Sequence, residues 1–167
     1  DHTLLPSLPI PLLIVESTSA SAKIDSSVIR DRIFLDFDAH EDNLDMAWRG
    51  VKQGVELIIN KDYSHTLFFS GRGFHFCIPN VFDFKSSNDL PEEVKATISR
   101  YFPEADNIYD GARLIRVGQT MNEKSNLYKV PLLIGEVMSG TPEEIHKIAE
   151  APRLDFRPIP LLEPEPI

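Results

Sequence analysis

The fold is decided by the stretch Arg32-Ile33-Phe34-Leu35-Asp36-Phe37-Asp38. Because side chains alternate along a β-strand, the odd-numbered positions of this stretch form one apolar face, and Asp36 and Asp38 project together from the other. Two carboxylates at this spacing lie roughly 6 to 7 Å apart along the strand, within reach of the same hard divalent cations. On its own, the pair is also typical of a strand edge that faces solvent.

Two further elements follow this strand along the chain. Residues 43–60 carry apolar side chains at helical spacing, which predicts the longest helix. Two apolar runs, residues 66–69 and 74–78, flank Ser70-Gly71-Arg72-Gly73 and predict a β-hairpin with a glycine turn.

The second half of the chain predicts shorter elements. A helix is expected over residues 91–101, with Tyr101 among its inward-facing positions. Residues 113–117 and 129–134 have the composition of short strands. The capping-box pattern Thr141-Pro142-Glu143-Glu144 predicts the start of a last helix. This irregular alternation favours the α+β class, with a mixed or antiparallel β-sheet flanked by helices.

Length and composition are those of one globular domain: 167 residues, of which 42% are hydrophobic and 26% charged. Cys77 is the only cysteine, which excludes an internal disulfide and a cysteine-built zinc site. No apolar run reaches the ~18 residues that cross a bilayer, so no membrane association is expected. The early apolar run from Ile10 to Val15 has no lysine or arginine before it, unlike a secretory signal. The expected location is intracellular.

Three segments are expected. Residues 1–31 read as a partly extended N-terminal extension, residues 32–150 as the core domain, and residues 151–167 as a proline-rich C-terminal tail or linker. These ends are compatible with a piece of a longer protein and equally with a tail packed on the domain.

The distribution of charge indicates a local site rather than a broad basic surface. The net charge of -9 has the wrong sign for gripping nucleic acid over a wide face. Residues 36–45 contain five acids and no lysine or arginine, whereas residues 113–131 contain four basic residues and one acid, Glu123. A local acidic cluster facing a local basic one suits a metal ion and phosphate.

Two later segments carry residues suited to phosphate. In Ser70-Gly71-Arg72-Gly73-Phe74-His75, the glycines allow close approach of the backbone, Arg72 offers a planar fork of donors, and His75 can donate from its ring. The alternative is a glycine hairpin with an exposed arginine. Further on, Asp106 precedes a basic segment and supplies a possible third metal ligand. Asp110 lies close by, at a turn position, and is the less favoured choice.

These segments, in this order, resemble the motifs of the archaeo-eukaryotic primase superfamily, which includes primase-polymerases of viruses, plasmids and eukaryotes. Asp36-Phe37-Asp38 resembles its first motif of metal-binding acids, and the segment from Ser70 to His75 its second, nucleotide-contacting motif. Asp106 resembles the third. The run Arg113-Leu114-Ile115-Arg116, with Lys124 downstream, resembles the segment that neutralises the triphosphate. The resemblance covers residues 32–132.

The resemblance implies a primase-polymerase catalytic domain with an RRM-like core. It would be a DNA primase or polymerase, a nucleotidyltransferase of DNA replication that joins nucleoside triphosphates on a template and releases pyrophosphate. The implied cofactors are two Mg²⁺ or Mn²⁺ ions, and the implied partners are single-stranded DNA template, primer and NTP or dNTP. The resemblance also allows a helicase or accessory domain as a partner in the full-length protein. The implied metal-binding, catalytic residues are Asp36, Asp38 and Asp106, and the implied nucleotide-binding residues are Ser70, Arg72, His75, Arg113, Arg116 and Lys124.

The sequence departs from the superfamily pattern at two points. It lacks the cysteine and histidine zinc element of many relatives, and Asn126 stands where a glycine is usual. Asparagine tolerates left-handed backbone geometry better than most residues, so the turn can be kept. Two other functions stay open: a catalytically silent nucleic-acid-binding module of the same fold, and a metal-dependent nuclease or phosphoesterase. De novo priming, primer extension and end-joining repair share the same motifs.

Overall fold

The computed structural model describes residues 32–39, 44–59, 63–109 and 115–156. The expected N-terminal extension and residues 157–167 of the expected tail lie outside these ranges. The described part is a mixed α+β structure with antiparallel sheets flanked by helices, as the sequence predicts. No helix within it is long and apolar enough to cross a bilayer.

The strands of the described part form a four-stranded sheet and a separate two-stranded sheet. Their bounds are β1 Arg32–Asp38, β2 Thr66–Phe69, β3 Gly73–Pro79, β4 Met121–Asn122, β5 Leu127–Tyr128 and β6 Val130–Pro131. The larger sheet has the order β1-β3-β2-β6, and every neighbouring pair in it is antiparallel. The predicted hairpin is therefore confirmed, and its second strand lies at the centre of the sheet beside β1.

Four helices are described, and their bounds are α1 Leu44–Ile59, α2 Leu90–Tyr101, α3 Ile134–Ser139 and α4 Pro142–Ile148. Helix α1 matches the longest predicted helix to within a residue at each end. Helix α4 begins with the predicted capping box: the Glu144 amide donates to Thr141 Oγ1 at 3.3 Å, and the Thr141 amide donates to Glu144 Oε2 at 2.9 Å.

One face of the larger sheet forms the core. Every second residue of its three longer strands is buried there: Ile33, Leu35, Phe37, Leu67, Phe69, Phe74, Phe76 and Ile78. Helix α1 packs on β1 and β3 and comes close to the strands at two glycines. A Cβ atom on Gly50 would lie 2.6 Å from Phe37 Cδ1, and one on Gly54 would lie 3.3 Å from Phe76 Cδ1. The sequence thus sets the distance between helix and sheet through residues that have no side chain.

The end of α2 departs from expectation. Val94 and Ile98 are buried, but Tyr101 is 42% exposed, so its predicted inward orientation is wrong. Phe102, only 1% exposed, takes that place. The position four residues after Ile98 continues the buried stripe of the helix, and the Phe102 amide still donates to the Ile98 carbonyl at 2.7 Å.

Both strands predicted late in the chain are corrected. The strand expected over residues 129–134 is reduced to β6, because α3 begins at Ile134 and Glu136 Oε2 accepts from the Leu133 amide at 2.7 Å. Of the strand expected over residues 113–117, only residues 115–117 are described, and they are not in a strand. The backbone of residues 115–117 takes an irregular path instead.

The first part of the proline-rich tail packs on the domain. Arg153 Nη1 donates to the Pro131 carbonyl and to Glu136 Oε2, both at 2.9 Å. The Arg153 amide also donates to Gln119 Oε1 at 2.8 Å. These contacts attach residue 153 to β6 and α3.

Candidate functional site

The candidate site lies on the face of the larger sheet that does not carry the apolar core. The strands present alternating half-buried side chains there: Phe34, Asp36, Asp38, Phe68, His75 and Cys77. In the register of β1 and β3, Asp36 lies opposite His75 and Asp38 opposite Gly73. The alternation of β1 thus places the two predicted acids together on this open face, and strand pairing adds the histidine of the second predicted motif.

Asp36 and His75 are in contact. The distance from His75 Nε2 to Asp36 Oδ1 is 3.4 Å, and the two side chains are only 11% and 19% exposed, respectively. The imidazole also packs edge-on against Phe34, with 5.2 Å between ring centroids. The carboxylate therefore lies in a partly desolvated position with a nitrogen next to it.

The imidazole of His75 is neutral at physiological pH. Burial, reinforced by the charges of Lys129 and Arg116, lowers its pKa from 6.5 to about 3. The nearby Asp36 carboxylate acts in the opposite direction, but one partly hydrated anion is outweighed by burial and two cations. In a neutral ring beside a carboxylate, Nε2 carries the proton, which leaves a lone pair on Nδ1. Nδ1 is buried and has no hydrogen-bond partner among the described residues.

Lys129 is a charged residue that is buried at this face, with an exposed fraction of 4%. Its Nζ donates to the Arg116 carbonyl at 2.7 Å and lies 5.1 Å from the ring centroid of Phe68. Burial lowers the pKa of Lys129 from 10.5 to about 8; Asp36 opposes this shift and Arg116 adds to it. At neutral pH the ammonium is still charged, so a cation is kept beside Asp36.

Arg116 joins the basic segment to the hairpin turn. Its Nη1 donates to the Ser70 carbonyl at 2.9 Å, and Asn122 Nδ2 reaches the same oxygen at 3.4 Å. The Arg116 side chain remains exposed. A predicted phosphate ligand of the third segment is thus held directly against the second segment.

The turn between β2 and β3 requires its glycines. Gly71 has a φ of 94°, and a Cβ atom on Gly73 would lie 2.1 Å from the Phe37 carbonyl oxygen. Ser70 is buried, and its Oγ accepts from the Gly73 amide at 3.1 Å. The turn therefore lies directly against β1 beside Asp38. The predicted contact of Ser70 with phosphate stays a prediction, since its hydroxyl already closes the turn.

Arg72 lies at a cavity beyond the end of β1. Its Nη2 donates to the Ala39 carbonyl at 3.2 Å. The cavity has a volume of about 310 Å³, and its described lining consists of Ala39, Leu44, Gly71, Arg72, Ser125, Leu127, His146 and Glu150. The structure thus places Arg72 next to the Asp38 end of the site, whereas His75 lies on the open face.

Asp106 is brought to β1 through its backbone. Its amide donates to the Asp36 carbonyl at 2.7 Å, and the Tyr109 hydroxyl donates to the Phe34 carbonyl at 3.1 Å. These bonds attach the backbone of Asp106, the third predicted acid, to β1 at the level of Asp36, along the edge that faces away from β3. Asp110, the less favoured alternative, lies outside the described residues.

The remaining predicted residues fall at the periphery or outside the described ranges. Lys124 is exposed, and its amide donates to Asn122 Oδ1 at 3.0 Å. Asn126 has a φ of 56°, the left-handed geometry that the usual glycine would adopt. Arg113 lies outside the described residues.

Asp36 and Asp38 would supply two ligands of a divalent ion, and other groups would complete its coordination. Within the described ranges, no three histidine, cysteine, aspartate or glutamate side chains are grouped closely enough to hold a metal ion. Asp36 and Asp38 offer carboxylates on one face. Mg²⁺ is commonly bound by one or two carboxylates together with waters and substrate phosphates. This pair would therefore suit an ion that arrives with a phosphate-bearing substrate, with Asp36 and Asp38 as its protein ligands. The third predicted ligand, Asp106, stays a prediction, because in the described ranges its side chain is not grouped with the pair.

Two residues of the site were not singled out by the sequence. Lys129 was one of several basic residues in its segment, and Tyr109 carried no motif. Alternation from Val130, which pairs with Phe69 on the buried side, gives Lys129 the opposite face and could have identified it. The hydrogen bond of Tyr109 depends on tertiary packing and has no local signal.

Comparison of the chain with protein-family models, curated proteins and solved structures finds no match.

Proposed function

We propose that the chain is a template-directed nucleotidyltransferase, a DNA primase or polymerase that joins nucleoside triphosphates and releases pyrophosphate. Its core would be the RRM-like catalytic core of the archaeo-eukaryotic primase superfamily. The observation that carries the proposal is the meeting of the acidic pair of β1 with His75 on one open sheet face, where the charge of Lys129 acts on Asp36 and His75 and that of Arg116 acts on His75.

The arrangement matches the requirements of phosphoryl transfer. Transfer from a nucleoside triphosphate needs cations around the phosphates. It also needs carboxylates that can hold a divalent ion. Bound Mg²⁺ or Mn²⁺ supplies a lowered pKa for that hydroxyl and neutralises charge on the leaving group. The protein supplies position: Asp36 and Asp38 are fixed by strand pairing, and Asp106 by its backbone bond to β1.

The basic side chains of the site would bind the phosphates. Lys129 interacts electrostatically with Asp36, and Arg116 adds a second positive charge near His75 and Lys129, in a partly desolvated setting where electrostatic interactions are stronger than in water. The predicted phosphate ligands Arg72 and Lys124 lie farther along, near the turn and the segment that follows. Together they would hold the triphosphate so that its α-phosphorus meets the hydroxyl in line.

His75 orients Asp36 in this proposal. A neutral imidazole that donates from Nε2 fixes the carboxylate without neutralising its charge, as outer hydrogen-bond donors fix the carboxylate ligands of metal sites. Contact of His75 with the triphosphate, as the resemblance implies, would need the ring to donate from Nδ1. The two roles call for different tautomers, and the contact of Nε2 with Asp36 favours the first.

The proposed partners are a single-stranded DNA template, a primer and nucleoside triphosphates. The proposed role is in intracellular DNA replication, and a helicase or accessory domain of the full-length protein is a further proposed partner. The experiment incubates the domain with unprimed and primed single-stranded DNA, Mg²⁺ or Mn²⁺, and either NTPs or dNTPs. Template-dependent products support the proposal and report priming and sugar choice together. DNA binding without products would favour the silent module, and cleavage of the strand without nucleotides would favour a nuclease.

A further inference from the structure

The ammonium group of Lys129 is placed where a lysine is rarely found. It belongs to the open sheet face, yet its exposed fraction is 4%. The Nζ atom lies 5.1 Å from the ring centroid of Phe68 and 6.0 Å from that of Phe34. A buried charge is costly unless it is satisfied by other groups, so its position calls for a specific partner.

That partner is the backbone of the basic segment. Lys129 Nζ donates to the Arg116 carbonyl at 2.7 Å. The backbone of Lys129 pairs with the same segment: its carbonyl accepts from the Gln119 amide at 2.7 Å and its amide donates to the Thr120 carbonyl at 2.8 Å. Gly118 lets this segment lie close to the sheet, because a Cβ atom there would lie 3.1 Å from Phe68 Cε1. Residues 116–120 are thus held over the open face through Lys129.

We infer that Lys129 is a positioning residue for nucleotide phosphates, which fixes Arg116 over the acidic face and adds its own charge beside Asp36. This inference rests on the proposed function. Arg116 has an irregular backbone and an exposed side chain, so packing alone does not fix it. The bond from Lys129 and the bond from Arg116 to the Ser70 carbonyl restrain both ends of that residue.

Lys52 offers a matched control. Its Nζ also donates to a main-chain carbonyl, that of Met138, at 3.2 Å, and also lies over an aromatic ring, 5.6 Å from the centroid of Trp48. Lys52 is in α1, on the opposite side of the sheet from the acids. Replacement of either lysine by methionine keeps the length of the side chain and removes one ammonium group and one hydrogen bond.

The test measures binding of a non-hydrolysable nucleoside triphosphate with Mg²⁺ by calorimetry, alongside thermal unfolding. Lys129→Met is expected to weaken binding by roughly ten- to hundredfold, the effect of losing a hydrogen bond to a charged group, while the protein stays folded. Lys52→Met is expected to leave binding unchanged. The double variant Lys129→Met, Arg116→Gln tests whether Lys129 acts through Arg116. If it does, the fold-loss of nucleotide affinity in the double variant is smaller than the product of the fold-losses in the two single variants.

The outcomes separate this inference from the proposed function. Equal nucleotide binding by wild type and Lys129→Met overturns the inference and leaves the proposed function standing. Strictly multiplicative losses in the double variant also overturn it, because Lys129 would then act independently of Arg116. Binding with the expected losses, but no primer extension by the wild type, keeps the role of Lys129 and overturns catalysis. Absence of nucleotide binding by the wild type overturns both.

Discussion

His75 Nε2 lies 3.4 Å from Asp36 Oδ1, directly across the pairing of β1 with β3. Two segments that the sequence separates by a long helix thus meet at one carboxylate. Because the imidazole is neutral, it can donate to Asp36 and leave the negative charge available to a metal ion.

The pH dependence of stability should reveal this neutral imidazole. The pKa of His75 is lowered from 6.5 to about 3 in the folded protein, so between these values the unfolded chain binds the additional proton. The stability linked to His75 is therefore fully present above pH 6.5 and is lost as the pH falls toward 3. Chemical denaturation of the wild type and of His75→Gln between pH 4.5 and 7.5 measures it.

Carboxylates elsewhere titrate in both proteins, so the difference between the two curves isolates the histidine. We expect the wild type to lose more stability on acidification than His75→Gln. Parallel curves for the two proteins would show that the imidazole takes up its proton as readily when folded as when unfolded.

Metal binding should depend on nucleotide. Asp36 and Asp38 provide two carboxylates, and the described residues supply no group of three ligands. Mn²⁺ alone should therefore bind weakly, and a nucleoside triphosphate should strengthen its binding by completing the ligand set. Paramagnetic broadening of NMR signals from β1 and β3 measures this, and Asp36→Asn is expected to abolish the effect. Tight binding of Mn²⁺ by the free protein would contradict the proposed site.

The packing of α1 on the sheet should not tolerate a methyl group at Gly50. In Gly50→Ala, the added Cβ would lie 2.6 Å from Phe37 Cδ1 and 2.8 Å from Glu104 Cβ. Overpacking of this kind costs about 1–3 kcal/mol. Gly135→Ala in α3 is the control, because nothing lies within 4 Å of its Cβ position. Its expected change is a gain of up to about 1 kcal/mol. Equal unfolding free energies for the two variants would disprove the close approach.

Tyr109 should affect activity through Asp106. Its hydroxyl donates to the Phe34 carbonyl at 3.1 Å, on the segment that also brings Asp106 to β1. Loss of this bond in Tyr109→Phe is expected to cost about 1 kcal/mol of stability and to lower the rate of extension. Tyr101→Phe removes an exposed hydroxyl and should change neither quantity. An unaltered rate of primer extension by Tyr109→Phe would show that the Tyr109 hydroxyl does not support the site.

Local patterns predicted the parts of the fold that local forces determine. Alternation along β1, helical spacing along α1, glycine turn chemistry before β3 and the capping box of α4 are all found in the structure. These patterns also placed Asp36 and Asp38 on one face. Each depends on residues within a few positions of one another, which is the range that sequence patterns report.

Features that depend on tertiary contacts were missed. Tyr101 and Phe102 lie three and four residues after Ile98, and both positions are compatible with a buried helical stripe, so local spacing alone did not decide between them. In the structure Phe102 lies at α1, where a Cβ atom on Gly54 would be 3.7 Å from Phe102 Cε1. The burial of Lys129 depends on residues 116–120 lying over the open face. A strand was expected over residues 113–117, whereas the Arg116 carbonyl accepts from Lys129 Nζ and the Arg116 side chain donates to the Ser70 carbonyl of the hairpin turn.

Primer extension by variants of the acidic pair tests the central claim most directly. Asp36→Asn and Asp38→Asn are compared with the wild type and with Asp155→Asn, which alters an exposed acid of the C-terminal tail. The proposed function predicts extension by the wild type and by Asp155→Asn, and loss of extension by both variants of the pair while they keep the wild-type circular dichroism. Near-normal extension by folded Asp36→Asn and Asp38→Asn would contradict it.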